Sequence, residues 1–252
     1  MASLADEFRP TSLDQVVGQP RAVQAITTTL KRGWGGRAWY IIGQRGQGKT
    51  TIGRIIAEIG ADELAIKELD ANRMNPAKIA EQVESYASRC LFGKGGKAFI
   101  VNEAHKLPHH AVVELLTALE PPGGLPAHIC WVFTAPALMQ PTLFVDDDAK
   151  DRETLVSRCQ RIVLEDTPES RLAMARRAKA VAMEAGVDGL PEELYLHALN
   201  NCDGNLRALL QRVESGQLAD EAKAHAMAYL TRPLAEQDAH TRATMQAVLK
   251  SP

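Results

Sequence analysis

The sequence predicts an α/β protein: a parallel sheet flanked by helices, followed by a small all-α domain. Three observations carry this. Short apolar runs alternate with helical patterns from Ala38 to Leu164. A glycine-rich pattern, Gly43 to Thr50, joins one such run to a helix. No strand pattern occurs beyond residue 166.

Each element follows from its residues. Ala22, Val23, Ile26 and Leu30 recur at helical spacing and predict a helix over 21–30. Ala38 to Ile42 is apolar, β-branched and aromatic between glycines, which suits a buried strand. A helix is expected from Thr50 to Ile59 and a strand over Ile66–Leu69. Asn75-Pro76 starts a helix, with proline at its first position. Strands follow over Lys97–Val101 and Ile129–Thr134, separated by a helix from Pro108 to Leu119. The segment from Ala137 to Glu153 reads as loop, with Asp146 to Asp148 a solvated acidic run. Arg161–Leu164 is the last strand. Thr167 or Ser170 then caps a helix running to about Ala185, and two more helices span about 191–200 and 205–215. The expected organisation is an α/β domain over 1–165, a helical domain over 166–216, and a helical tail over 217–252.

Composition excludes several classes. Twenty-nine Lys and Arg stand against 31 Asp and Glu, so a polybasic binder is excluded. The four cysteines contain no CxxC pair, so no zinc cage follows from their spacing. The N-terminus is polar, and no apolar run approaches the roughly 18 residues of a membrane span. A cytoplasmic protein with no membrane partner is expected.

The sharpest motif is Gly43-Gln44-Arg45-Gly46-Gln47-Gly48-Lys49-Thr50, which fits G-x-x-x-x-G-K-[ST] (Walker A) with Thr51 following. Its glycines let successive backbone N–H groups face phosphate oxygens, and the helix start adds its positive end. Lys49 is expected on the β- and γ-phosphates of ATP and the Thr50 hydroxyl on Mg²⁺. After the strand ending at Val101 comes Asn102-Glu103, where P-loop enzymes place an acid beside the metal and a glutamate on the attacking water. Asn102 brings an oxygen without charge. Ser157-Arg158-Cys159 and Asp203-Gly204-Asn205-Leu206-Arg207 are weaker signals. Alone, each arginine equally fits a surface side chain paired with an acid.

Taken in order, the motifs resemble the clamp-loader subunits of the AAA+ ATPases, of the DNA polymerase III gamma/tau or replication factor C small-subunit kind. Phe8-Arg9-Pro10 with Leu13 to Gln19 resembles that family's N-terminal box. Leu69-Asp70-Ala71-Asn72, Asn102-Glu103-Ala104-His105 and Leu115 to Pro122 resemble its second-strand, Walker B and helix-stop segments. Thr134 falls at its sensor 1 position, Ser157-Arg158-Cys159 matches its SRC motif, and Gly204 to Arg207 its sensor 2 pattern. The resemblance covers about residues 4–215. Asn102 departs from the family's aspartate, the zinc-binding cysteines of bacterial motor subunits are missing, and no collar domain is expected after Ser215.

The resemblance implies an ATPase that works as an oligomer in DNA replication, coupling ATP to the loading of a sliding clamp. Arg9, Pro10, Val17 and Gly18 would border the adenine. Lys49, Thr134, Arg158 and Arg207 would act on the phosphates, with Arg158 an arginine finger for a neighbouring subunit, and Glu103 would position the attacking water. Thr50 and Asn102 would face the metal. Arg73, Lys78 and Lys106, near helix starts, would contact primed or double-stranded DNA, although ordinary surface cations read the same way. Partners would be other AAA+ clamp-loader subunits and the clamp. Two rivals stand: another AAA+ DNA motor or loader, and a nucleotide-holding scaffold subunit with weak catalysis.

Overall fold

The structure, a computed structural model, describes residues 3–90, 93–137, 147–187, 190–231 and 238–250. It divides into two units: Pro10–Glu165, and Asp166–Pro252 together with the N-terminal residues through Arg9. Those N-terminal residues, expected in the α/β domain, group instead with the helical unit.

In the first unit five parallel strands form one sheet: β1 (Arg37–Gly43), β2 (Ala61–Asp70), β3 (Gly96–Asn102), β4 (Ile129–Pro136) and β5 (Gln160–Val163). Their order is β2-β3-β4-β1-β5. The helices are α2 (Pro20–Leu30), α3 (Lys49–Gly60), α4 (Pro76–Glu84), α5 (His109–Leu119) and α6 (Asp147–Ser157). Alternate side chains of the strands enter different cores. Trp39, Ile41, Ile100 and Val132 pack with Ile52 and Ile56 of α3. Tyr40, Phe99, Trp131 and Phe133 pack with Ile79, Val112 and Leu115 of α4 and α5. Burial on both faces explains why these strands read as continuous apolar runs rather than alternating ones.

β2 is an edge strand and longer than its sequence suggests. Its polar start, Asp62-Glu63-Leu64, lies across a register shift between Ala61 and Ile66. α6 corrects the reading of 137–153 as loop: residues 147–153 are helical, and Asp148 lies 2.6 Å from His109 Nδ1 instead of being merely solvated. Little but Leu155 is buried there, so the stretch shows no apolar period. Residues 138–146 of that reading lie outside the described residues.

The second unit is helical: α1 (Leu4–Glu7), α7 (Pro168–Glu184), α8 (Glu192–Asn201), α9 (Leu206–Glu214), α10 (Gln217–Leu230) and α11 (Ala239–Lys250). The Thr167 and Asn205 side chains cap α7 and α9 by accepting the N–H groups of Ser170 and Ala208. α7 packs on α8 and α9, α1 packs on α9, and α10 on α11. Arg171 grips Asp166 through two hydrogen bonds of 2.7 Å, which hold the Asp166 carboxyl below its usual range.

Candidate active site

The parallel strands end together, and β1 leads directly into a loop and α3 at that edge. In open α/β sheets this is where ligands bind. Gly46 and Gly48 have φ of +78° and +90°. A side chain at Gly48 would meet nothing within 4 Å, so conformation rather than space calls for glycine. Lys49 is nearly buried, and its Nζ donates to the carbonyls of Gly43 at 2.9 Å and Gln44 at 2.8 Å. The ammonium thus closes the loop on itself. Burial lowers its pKa, against the opposing pull of Glu103; Arg45 lowers it further. Gln47 braces the loop by accepting the Gln44 N–H at 2.8 Å, and its Nε2 is buried without a partner. Gln44 and Arg45 are exposed, and Thr51 is half-buried in the first turn of α3.

Three sequence-predicted residues from three elements meet beside this loop. Asn102 Oδ1 accepts the Thr50 hydroxyl at 3.1 Å and the Thr134 hydroxyl at 3.2 Å. Thr134 Oγ1 in turn accepts the Glu103 N–H at 3.3 Å. Pairing of Ile41 with Thr134, and of Val101 with Phe133, sets this register. Glu103 has φ +57°, a left-handed conformation that costs a non-glycine residue about 1–3 kcal/mol. Its Oε2 lies 3.6 Å from His105 Nε2 and 3.8 Å from Lys106 Nζ. His105 Nδ1 is buried without a partner, and burial lowers the pKa of this ring.

Sequence reasoning missed Glu68 and Arg54. Asn102 Nδ2 donates to Glu68 Oε2 at 3.4 Å, and Glu68 lies 3.5 Å from Arg54 of α3. The amide of Asn102 is therefore oriented, with its oxygen toward Thr50. The donor set, a hydroxyl and an amide oxygen with carboxylates close by, is hard oxygen chemistry and fits Mg²⁺. The only available signal for Glu68 was a charged residue two before the end of an edge strand, which is common.

The remaining predicted residues lie elsewhere. Arg158 sits at the opposite edge of the sheet. Gln160 pairs with Trp39, four residues before Gly43, which puts Arg158 roughly 15–20 Å from the glycine-rich loop of its own chain. Its Nη1 donates to the Leu116 carbonyl at 2.8 Å and its Nη2 meets Glu120 at 2.9 Å, so it caps the C-terminus of α5. A cavity of about 370 Å³ there is lined by Arg37, Ser157, Arg158 and Cys159, among others. Pro10, Val17 and Gly18 precede α2, and Gln19 anchors that segment by exchanging two hydrogen bonds with the Glu165 backbone. Arg9 and Arg207 belong to the helical unit, where Ser3 and Arg9 hold the Asp6 carboxyl low and Arg207 adds its charge. Arg73 pairs with Asp70 at 3.6 Å, Lys78 donates to the Arg73 carbonyl, and Lys106 faces Glu103. Among the described residues no helix is long and apolar enough to cross a membrane.

The fold has counterparts among known proteins. A Thermotoga maritima RuvB variant matches with a TM-score of 0.63 at 18% identity, over 97% of this chain and 72% of that one. A DNA polymerase III subunit gamma from Buchnera aphidicola is 27% identical over 237 residues, 84% of this chain. The chain is similar to DNA polymerase III gamma and tau subunits, and its fold matches that of RuvB. Protein STICHEL-like 1 of Arabidopsis thaliana is also similar, 26% identical over 233 residues, 81% of this chain. The chain spans 60% of the Buchnera subunit and 19% of STICHEL-like 1. No protein-family model matches it.

Proposed function

We propose that this AAA+ chain binds and hydrolyses ATP as one subunit of an oligomer that handles DNA, in the manner of a clamp loader. The convergence of Thr50, Asn102, Thr134 and Glu103 beside the phosphate loop carries the reading. Residues 10–165 would hold the nucleotide, with Pro10, Val17 and Gly18 at the adenine. Residues 166–216 would be the lid that carries Arg207.

The chemistry follows from the residues. Phosphate oxygens replace the Gly43 and Gln44 carbonyls as partners of Lys49, which satisfies a buried charge better than two neutral acceptors. Backbone N–H groups around Gly46 and Gly48 supply further donors. Thr50 and Asn102 would hold Mg²⁺, which when bound neutralises charge on the β- and γ-oxygens. Glu103 takes a proton from the attacking water as its oxygen bonds to the γ-phosphorus; the bond to the β-γ bridging oxygen breaks, leaving ADP and phosphate. Thr134 holds the Glu103 N–H and so fixes where that carboxylate begins. Arg158 faces away from its own loop and would serve a neighbour's, neutralising charge that develops on the transferred phosphoryl group. Arg73, Lys78 and Lys106 are proposed for DNA, and a sliding clamp for the partner.

Glu103→Gln is the direct test. It keeps an acceptor of similar shape and removes the base, so ATP affinity should hold while turnover falls 10²-fold or more. Equal turnover in variant and wild type would remove Glu103 from the mechanism. The uncharged Asn102 favours the scaffold reading as second choice: ATP binding without turnover, even with DNA and partner subunits present, would establish it. Co-purification with a sliding clamp separates a clamp loader from another AAA+ loader.

A further inference from the structure

We infer that Arg152 of α6 is a positioning residue that holds the Glu103 turn, and that it ties this turn to the helix ending at Arg158. Glu103 stands in a left-handed conformation at the head of a short turn, Ala104–Lys106. Such a conformation persists only where its surroundings over-determine it. The backbone contributes two bonds, Lys106 N–H to the Glu103 carbonyl at 2.8 Å and Leu107 N–H to the Ala104 carbonyl at 3.2 Å. Arg152 takes the carbonyls further on: Nη1 donates to His105 O at 3.2 Å and Nη2 to Leu107 O. One rigid, planar cation thus holds two carbonyls of the segment behind Glu103, those of His105 and Leu107. Asp148, one helical turn earlier, lies 3.7 Å from the same Nη2 and keeps the guanidinium aimed.

The same residue lies six positions before Arg158, whose N–H continues α6 by bonding the Thr154 and Leu155 carbonyls. A shift of the Glu103 turn therefore pulls on the helix that carries Arg158. The base for one reaction and the arginine offered to another become parts of a single body. Lysine cannot replace this arginine fully, since one ammonium does not span both carbonyls in a fixed plane.

The inference rests on Glu103 being the base, and the test separates the two. Arg152→Ala and Arg152→Lys are compared with wild type by hydrogen exchange over peptides spanning 103–107 and 152–158, by binding of a fluorescent ATP analogue, and by turnover. In Arg152→Ala the 103–107 turn should exchange at least tenfold faster while β3 and the phosphate loop are unchanged. Turnover should fall at least tenfold with analogue affinity within twofold, and Arg152→Lys should lie between. Unchanged exchange at 103–107 would overturn the inference, as would turnover and affinity falling together. A wild type without turnover would remove the hydrolysis reading alone, and the exchange comparison would still decide whether Arg152 holds the turn.

Discussion

The two edges of the sheet are built differently. At the carboxyl edge, Lys49 is buried, and Thr50, Asn102, Thr134 and Glu103 form one hydrogen-bonded chain. That edge is held together by the protein's own hydrogen bonds. At the amino edge, Arg158 is only partly covered and is engaged with a helix end and the exposed Glu120. A partly exposed ion pair of this sort is worth about 1 kcal/mol or less, so the arginine is easily released. Under the proposed function, the contrast divides a reaction centre between chains: a buried cradle from one subunit, and from the next an arginine on a fixed backbone whose side chain is held by a helix end and one exposed carboxylate.

The largest effect that could break this comparison is at Arg158. If it serves a neighbour, Arg158→Ala should cut turnover 10³-fold or more while ATP affinity is retained. If it only caps α5, the loss should appear as about 1–2 kcal/mol of stability, read as a lower midpoint in denaturation with turnover preserved. Lys49→Ala acts on the other edge and should weaken ATP binding at least tenfold, since a charge-assisted contact is worth about 1.5–3 kcal/mol. Titration with a fluorescent analogue checks it, and unchanged affinity would remove the phosphate-loop assignment.

A smaller effect is expected at Asn102. Asn102→Asp adds a charge for the metal but sets it against Glu68, whose carboxylate is 3.4 Å from the present amide. Repulsion of about 1 kcal/mol should lower stability without Mg²⁺. With Mg²⁺ and nucleotide, metal affinity should rise, and Glu68→Gln should relieve the first effect alone. If stability and Mg²⁺ dependence both stay put, Asn102 does not face the metal.

The smallest concerns pH. Burial lowers the Lys49 pKa below 10.5, so the unfolded chain binds more protons than the folded one in the window just beneath that value. Stability of the ligand-free protein should therefore rise with pH there, relative to Lys49→Met, which has no such proton to lose. Urea denaturation at two pH values within the window measures it. A parallel dependence in both proteins would contradict the electrostatic cost assigned to the cradle.

The legible parts of this molecule were those where chemistry restricts the residues. Gly46 and Gly48 mark the tight loop before α3 because its positive φ restricts those positions to glycine. The strands of the double core were plain because burial on both faces leaves little but apolar residues. Glu68, Arg54 and Arg152 were not legible, since each acts through long-range contacts of ordinary charged side chains on helices or an edge strand. Glu103's left-handed backbone carries no sequence mark, as glutamate gives no hint of positive φ. α6 escaped because its exposed face and its ion pairs made it polar nearly throughout.

The division of the centre between chains is tested most directly by mixing two inactive variants. Lys49→Ala subunits hold ATP poorly but keep Arg158; Arg158→Ala subunits keep the cradle. Neither alone should turn over ATP. Mixed at high concentration, with partner subunits added and hetero-assembly verified by native mass spectrometry, they should regain a measurable fraction of wild-type turnover, because some interfaces then pair an intact cradle with an intact arginine. A mixture that assembles but stays inactive beside an active wild type would contradict the account, and would leave Arg158 a helix cap.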